Sequence, residues 1–298
     1  MTNRLLSAVV LISALGFGMN NAAEAKEPVK IGVPPWQGAE VKSAVVAEIL
    51  RQTGYSVETS SAAAPLVFQE LAQGRLDFNL SAWVPGQDAA FGPHVQAGRI
   101  EVVGENLAGA STGLAVPAEL APEGLDSVED LAEYADTLGQ TVFCIEPGSG
   151  AMLVLDRAIE ENLYGLGDWR ALASSTEGML TQVGRSIQRE QLLVFCAWSP
   201  HWMNIAFDIR FLDDPLGHWG GAGDTRVLTL ARRGLADDRP KLYRFLQRFR
   251  IDAATQSNWI HDYAQQDLAL ETIAQRWIEA NGDLIRSWWE DREGLPES

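Results

Sequence analysis

The sequence predicts an α/β fold in two lobes, each a mostly parallel sheet flanked by helices. Three observations predict it. Short apolar runs alternate with amphipathic helical stretches between residues 30 and 82, the order of a parallel sheet. The alternation restarts after about residue 115. No Pro-, Gly- or Ser-rich linker separates the halves, so short crossings join the lobes.

Taken in order, Lys30 to Val33 is an apolar run stopped by Pro34-Pro35, a strand ending in a rigid loop. Glu40 to Thr53 carries apolar residues at 41, 45, 46, 49 and 50 with Gly54 behind them, an amphipathic helix with a glycine stop. Tyr55 to Thr59 alternates as a strand, Pro65 to Gln73 is helical and Phe78 to Ala82 is a third strand. In the second half, Ser127 to Ala135 reads as a helix with a serine cap and Asp130 in the reciprocal position. Thr141 to Ile145 is a buried strand, Ala151 to Leu163 and Met179 to Gln188 are helices, and Leu192 to Ala197 is a second buried strand. Arg226 to Ala231 adds one more strand. From Asp237 onward the pattern is helical, with Trp259, Trp277, Trp288 and Trp289 on apolar faces.

Composition narrows the function. With 46% hydrophobic and 21% charged residues, the 298-residue chain is neither disordered nor a coiled coil. Acidic residues outnumber basic ones 40 to 23, a formal charge of −17. Such a surface repels phosphate backbones and anionic lipid, so no nucleic acid or membrane-surface partner is expected. Two cysteines and four scattered histidines (94, 201, 218, 261) supply no metal-ligand spacing. No metal and no cofactor are expected. The absence of a Ser-His-Asp elbow, Walker loop or zinc helix argues against an enzyme.

Arg4, the apolar run Leu5 to Met19 and the small-x-small triplet Ala23-Glu24-Ala25 read together as a secretory signal peptide over residues 1–25. No cysteine adjoins the cleavage site, so a soluble periplasmic chain without a lipid anchor is expected. Cys144 and Cys196 sit near the ends of two strands expected to be adjacent. An oxidising compartment permits a disulfide, but directly paired parallel strands present awkward geometry, so free thiols are the expectation.

In open α/β sheets ligands bind beyond the carboxyl ends of the strands. Those positions carry Trp36, Trp83 and Trp198, and Ala82-Trp83-Val84-Pro85 and Ala197-Trp198-Ser199-Pro200 share one pattern across the two halves. Indole faces carry negative potential and suit a soft cation whose methyls need no hydrogen bonds. The turn Pro147-Gly148-Ser149-Gly150 opens a helix whose backbone N–H groups favour an anion. His201 either reaches the ligand or packs behind the loop. Trp219 reads as a packing or rim residue, with a fourth ring as its alternative. Asp213-Asp214 reads as a loop cap.

These residues resemble the periplasmic substrate-binding proteins of ABC importers for glycine betaine, choline and related quaternary amines. The resemblance rests on Trp83, on Ile145-Glu146-Pro147-Gly148-Ser149-Gly150 and on Trp198-Ser199-Pro200-His201-Trp202-Met203-Asn204. Phe211-Leu212-Asp213-Asp214-Pro215 and Gly221-Ala222-Gly223-Asp224 add to it. It implies a type II, two-lobed binding protein with a hinge, whose lobes close on the ligand. Lobe 1 is expected to hold 26–112 and 222–298, and lobe 2 to hold 113–221. Trp36 and Trp83 then look like the first lobe's walls of an aromatic box and Trp198 like the second lobe's.

The chain departs from the choline-binding pattern at several positions. Ser149 stands where choline-specific members carry an asparagine, Gly38 where they carry an aspartate, and Thr112 near a box tyrosine. Gln87 falls where a betaine binder has a histidine for the carboxylate. The resemblance therefore implies a glycine betaine-type ligand, its carboxylate on the Gly148–Gly150 amides and His201. Choline or trimethylamine N-oxide is the alternative, and an exported methylated-amine enzyme the rival from another class. The implied partner is a membrane permease, and the chain is expected to act as a monomer.

Overall fold

The computed structural model describes residues 27–220 and 225–290. The expected signal peptide and the stretch 221–224 lie outside the described residues.

The first sheet starts as expected. β1 (Val29–Val33) leads into α1 (Gln37–Gln52), then β2 (Val57–Ser61), α2 (Ala64–Ala72) and β3 (Phe78–Val84). In α1 the stripe Val41, Val45, Val46, Ile49 and Leu50 is fully buried, each side chain contributing about 1.5–3 kcal/mol on burial. Next come α3 (Asp88–Gln96) and β4 (Ile100–Ala108). The chain then crosses to the second sheet through β5 (Ser111–Pro117), β6 (Thr141–Cys144), β7 (Arg170–Ala173), β8 (Val194–Ser199) and β9 (Ile209–Phe211). It returns through β10 (Arg226–Arg232) and β11 (Ile251–Asp252). The strand orders are β11-β4-β10-β3-β1-β2 and β7-β6-β8-β5-β9. Each sheet has one antiparallel strand, β10 in the first and β5 in the second.

Strands β4, β5, β7, β9 and β11 and helix α3 are not foreseen from the sequence pattern. Gly104, Glu101 and Glu105 interrupt β4, Gly113 interrupts β5, and α3 contains Pro93. Their local periodicity is weak, and pairing with neighbours decides their state. The reading Ser127 to Ala135 is corrected to a 3-10 helix, Val128–Tyr134, with the capping box in place: Asp130 accepts from the Ser127 N–H at 2.7 Å.

Helices Ala253–Gln265, Leu270–Ala280 and Gly282–Trp289 return to cover the first sheet. Trp259 meets Trp277 edge-on at 5.1 Å, Trp277 stacks with Trp288 at 6.0 Å, and Trp289 stacks on Phe245 at 4.5 Å. Four tryptophans are thus spent on the first lobe's core, as their place on apolar helix faces predicted.

The expectation of free thiols is overturned: Cys144 and Cys196 form a disulfide. Register explains it. β6 and β8 pair in parallel with Val142 opposite Val194 and Phe143 opposite Phe195, which sets the cysteines side by side. Their Cα atoms are 4.9 Å apart, inside the range a disulfide spans.

Candidate functional site

The carboxyl ends of the parallel strands from both sheets face one cavity. β1 ends at Trp36, which occupies the N-cap position of α1. β3 and β8 each run two residues beyond the sequence expectation, so Trp83 and Trp198 are strand residues rather than the first residues after a strand. The peptide bonds Val84–Pro85 and Ser199–Pro200 are both cis, so the two Ala-Trp-x-Pro motifs match in backbone as in sequence. β6 leads to Ser149, the N-cap of α5 (Gly150–Glu160; the short helix Ala135–Leu138 is α4), and its Oγ accepts from the Met152 N–H at 3.2 Å.

The cavity is lined by Trp36, Trp83, Trp198 and Trp219 together with Gly38, Lys42, Ser81, Thr112, Ser149, Gly150, Thr176, His201 and Gln256, among others. Its internal volume of about 60 Å³ holds the equivalent of several waters, at ~10–15 Å³ each. Among the described lining residues none is acidic, so aromatic faces rather than carboxylates meet whatever enters.

Trp36 is held through its indole N–H, and the other three tryptophans through their backbone groups. The Trp36 Nε1–H donates to the Glu146 carboxylate, which crosses from one sheet's domain to the other. Burial pushes Glu146 up to about 7, and Glu177 nearby adds to the rise. The Trp83 N–H donates to Gln87 Oε1 at 2.8 Å. Asn204 Nδ2 donates to the Trp198 carbonyl at 2.9 Å and the His201 carbonyl at 3.0 Å, locking the turn after β8. Trp219 is 1% exposed; its backbone N–H donates to Asp214 Oδ2 at 2.7 Å and Thr112 Oγ1 donates to its carbonyl. Asp214 also accepts from the Tyr164 hydroxyl, so the Asp213-Asp214 pair does cap a loop.

Residues 27–280 match the family of the substrate binding domain of ABC-type glycine betaine transport systems. The chain belongs to the OpuAC family. It is 31% identical over 163 residues to the glycine betaine/carnitine transport binding protein GbuC of Listeria monocytogenes, a match covering 55% of this chain and 52% of that protein. The match thus spans about half the length of that relative. An ABC-transporter choline binding protein in complex with choline superposes with a TM-score of 0.83 at 26% identity, covering 88% of this chain and 91% of that one. Lactococcal OpuAC, closed on glycine betaine, gives a TM-score of 0.80 at 26% identity over 89% of this chain and all (100%) of that one. These neighbours bear out the two-lobed type II fold.

Of the OpuAC-type positions expected from the sequence, Trp36, Trp83, Trp198, Thr112, Ser149, Gly150 and His201 line the cavity. Thr112 sits opposite Trp198 in the β5–β8 register. His201 is 3% exposed, and its Nδ1 accepts from the Met203 N–H at 3.2 Å, which leaves the proton on Nε2. Burial pulls its pKa to about 3, so it adds no charge to the cavity. Gln87 and Gly148 are not among the lining residues. Gln87 is fully buried and turns its amide onto the Trp83 backbone, while Gly148, at φ +85°, packs against Pro65.

Among the other lining residues, Trp219 answers to both of its sequence readings, whereas Gln256 and Lys42 are not singled out from the sequence. Trp219, read as packing or rim, does pack in the second lobe's core and also lines the cavity. Gln256 comes from the helical tail, and its Nε2 donates to the Gly38 carbonyl at 2.7 Å. A Cβ at position 38 would lie 2.8 Å from that nitrogen, so glycine there admits the glutamine. Lys42 had a visible signal: it lies three and four residues before Val45 and Val46, on the apolar stripe of its helix.

Proposed function

We propose that this chain is the solute-binding receptor of an ABC importer, exported to the periplasm, which captures a quaternary ammonium compound of the glycine betaine type and delivers it to a membrane permease. It performs no chemistry and works as a monomer in this reading. The supporting observation is the convergence of four tryptophans on one cavity, with no acidic residue among its described lining residues. Each ring contributes roughly 0.5–2 kcal/mol to a desolvated cation. Three or four rings plus apolar burial of the methyls approach the ~8 kcal/mol of micromolar binding.

The ligand stabilises the closed state because its contacts come from both lobes, Trp36 and Trp83 on one side and Trp198 and Trp219 on the other. The lobes themselves we place at 26–112 with 222–298, and at 113–221, except that β5 already joins the second sheet at Ser111. No described helix is long and apolar enough to cross a membrane. Calorimetry of the protein against glycine betaine, choline and trimethylamine N-oxide tests the reading. At least one is expected to bind at micromolar Kd, and Trp198→Ala to abolish that binding while the circular dichroism spectrum stays unchanged. Binding weaker than millimolar by all three, or unchanged affinity in the variant, would refute the cage.

A further inference from the structure

We propose that Lys42 receives an anionic end of the ligand, so that the receptor selects zwitterions, a trimethylammonium head joined to a carboxylate, over choline-like cations. This deepens the quaternary-amine reading and rests on it.

Lys42 lies in the second turn of α1, is 1% exposed and lines the same cavity as the tryptophans. An ammonium carries three N–H donors. One goes to Asn106 Oδ1 at 2.7 Å. Asn106 is oriented for this, since its Nδ2 donates to the Leu80 carbonyl and to Thr229 Oγ1, each at 3.0 Å. Among the described residues no carboxylate pairs with Lys42. Lysine is almost never buried this deeply unless paired. Here the remaining donors have no acceptor among the described residues, and the cavity is the space beside them.

The rest of the polar lining agrees. Trp219 Nε1, a donor only, is buried without a partner. An acceptor on the ligand satisfies such groups, and a carboxylate offers several. Charge selects as well. An ammonium and a trimethylammonium in one desolvated cavity repel, unless an anion accompanies the second or the lysine gives up its proton. A betaine brings that anion within its own skeleton; choline does not. Gln256 Oε1 is a buried acceptor without a partner, which a hydroxyl would satisfy, and this makes choline the competing ligand.

Burial alone holds Lys42 down, to about 7. No charge on α1 (Glu40, Glu48, Arg51), on the strands beneath it (Lys30, Glu58, Glu101, Glu105) or on helices Ala253–Gln265 and Leu270–Ala280 (His261, Asp262, Glu271, Arg276, Glu279) contributes to that shift. His201, the other ionisable side chain named on the cavity, is neutral. The lysine therefore rests partly unprotonated in the free receptor and takes up a proton when a carboxylate arrives.

Calorimetry of wild type and Lys42→Met with glycine betaine and with choline tests this. Wild type is expected to bind glycine betaine roughly tenfold or more tightly than choline, the discrimination of one charge-assisted hydrogen bond. Lys42→Met is expected to lose that factor for glycine betaine and to hold or gain affinity for choline. A wild-type preference for choline, or unchanged glycine betaine affinity in the variant, overturns the lysine's role and leaves the cage standing. Failure of wild type to bind glycine betaine overturns this proposal, and failure to bind choline and trimethylamine N-oxide as well overturns the cage reading with it. Should Lys42→Met not fold, wild-type titrations at pH 8 in phosphate and in Tris decide: proton uptake with glycine betaine is expected, and its absence overturns the proposal.

Discussion

Glu146 illustrates how one side chain ties a tryptophan of the cavity to the other half of the molecule. Its carboxylate receives the Trp36 indole N–H, and burial together with Glu177 raises its pKa to about 7. Glu40, also raised by burial and by Glu177, belongs to the same acidic group. The folded pKa of Glu146 lies above its unfolded value near 4.5. Its contribution to stability is therefore full below about pH 4.5 and is lost as pH rises through about 7. Between pH 5 and pH 7.5, wild type is expected to lose more stability than Glu146→Gln, read from urea midpoints at the two pH values. Equal losses would show that the carboxyl titrates as it does in the unfolded chain. Position 146 was legible in the sequence only as part of a family-like turn. Its partner, Trp36, is 110 positions away, and no local pattern reports such a pairing.

At the scale of elements, the disulfide between β6 and β8 depends on strand register. It closes a loop with a sequence separation of 52 residues, for which chain-entropy arguments give about 4 kcal/mol of stabilisation. Replacing Cys144 and Cys196 together by alanine is expected to lower the unfolding free energy by roughly 2–4 kcal/mol in guanidinium titrations. A loss below about 0.5 kcal/mol would place the unfolding of the second sheet outside the measured transition. Sequence patterning finds the two strands and their nearness but leans to free thiols, with a disulfide as the alternative. The pattern shows which residues face inward, not which stand opposite one another. The same limit applies to Trp83 and Trp198, whose strands run two residues further because β10 and β5 pair with their ends.

Across the whole molecule, several described side chains bridge the halves built on the two sheets. Gln37 donates to Glu177 at 3.3 Å and accepts from the Trp202 indole at 3.1 Å, and Trp36 reaches Glu146. Gly86, after β3, lies directly against Gly150 at the start of α5; a Cβ at 86 would meet the Gly150 carbonyl carbon and oxygen at 3.0 Å. Backbone cannot yield as a side-chain tip does, and overpacking of this kind costs about 1–3 kcal/mol. Gly86→Ala is therefore expected to weaken ligand binding roughly tenfold or more by calorimetry, with little change in the melting temperature of the free protein. Undiminished affinity would mean that the bound lobes approach less closely than they do here.

The sequence by itself determined the two α/β lobes, the amphipathic stripe of α1, the tryptophans placed at strand ends and the family likeness. These follow from periodicity, from capping residues and from short motifs, all local to a few turns of chain. Only the tertiary structure decided which groups share the cavity. It brought Gln256 beside Gly38 across 218 positions, turned Gln87 away onto the Trp83 backbone and set Cys144 against Cys196. It also showed that the lysine interrupting the apolar stripe of α1 lines the tryptophan cavity, with no carboxylate partner among the described residues. Burial, register and the meeting of distant side chains are properties of packing, and packing is settled only when the whole chain has folded.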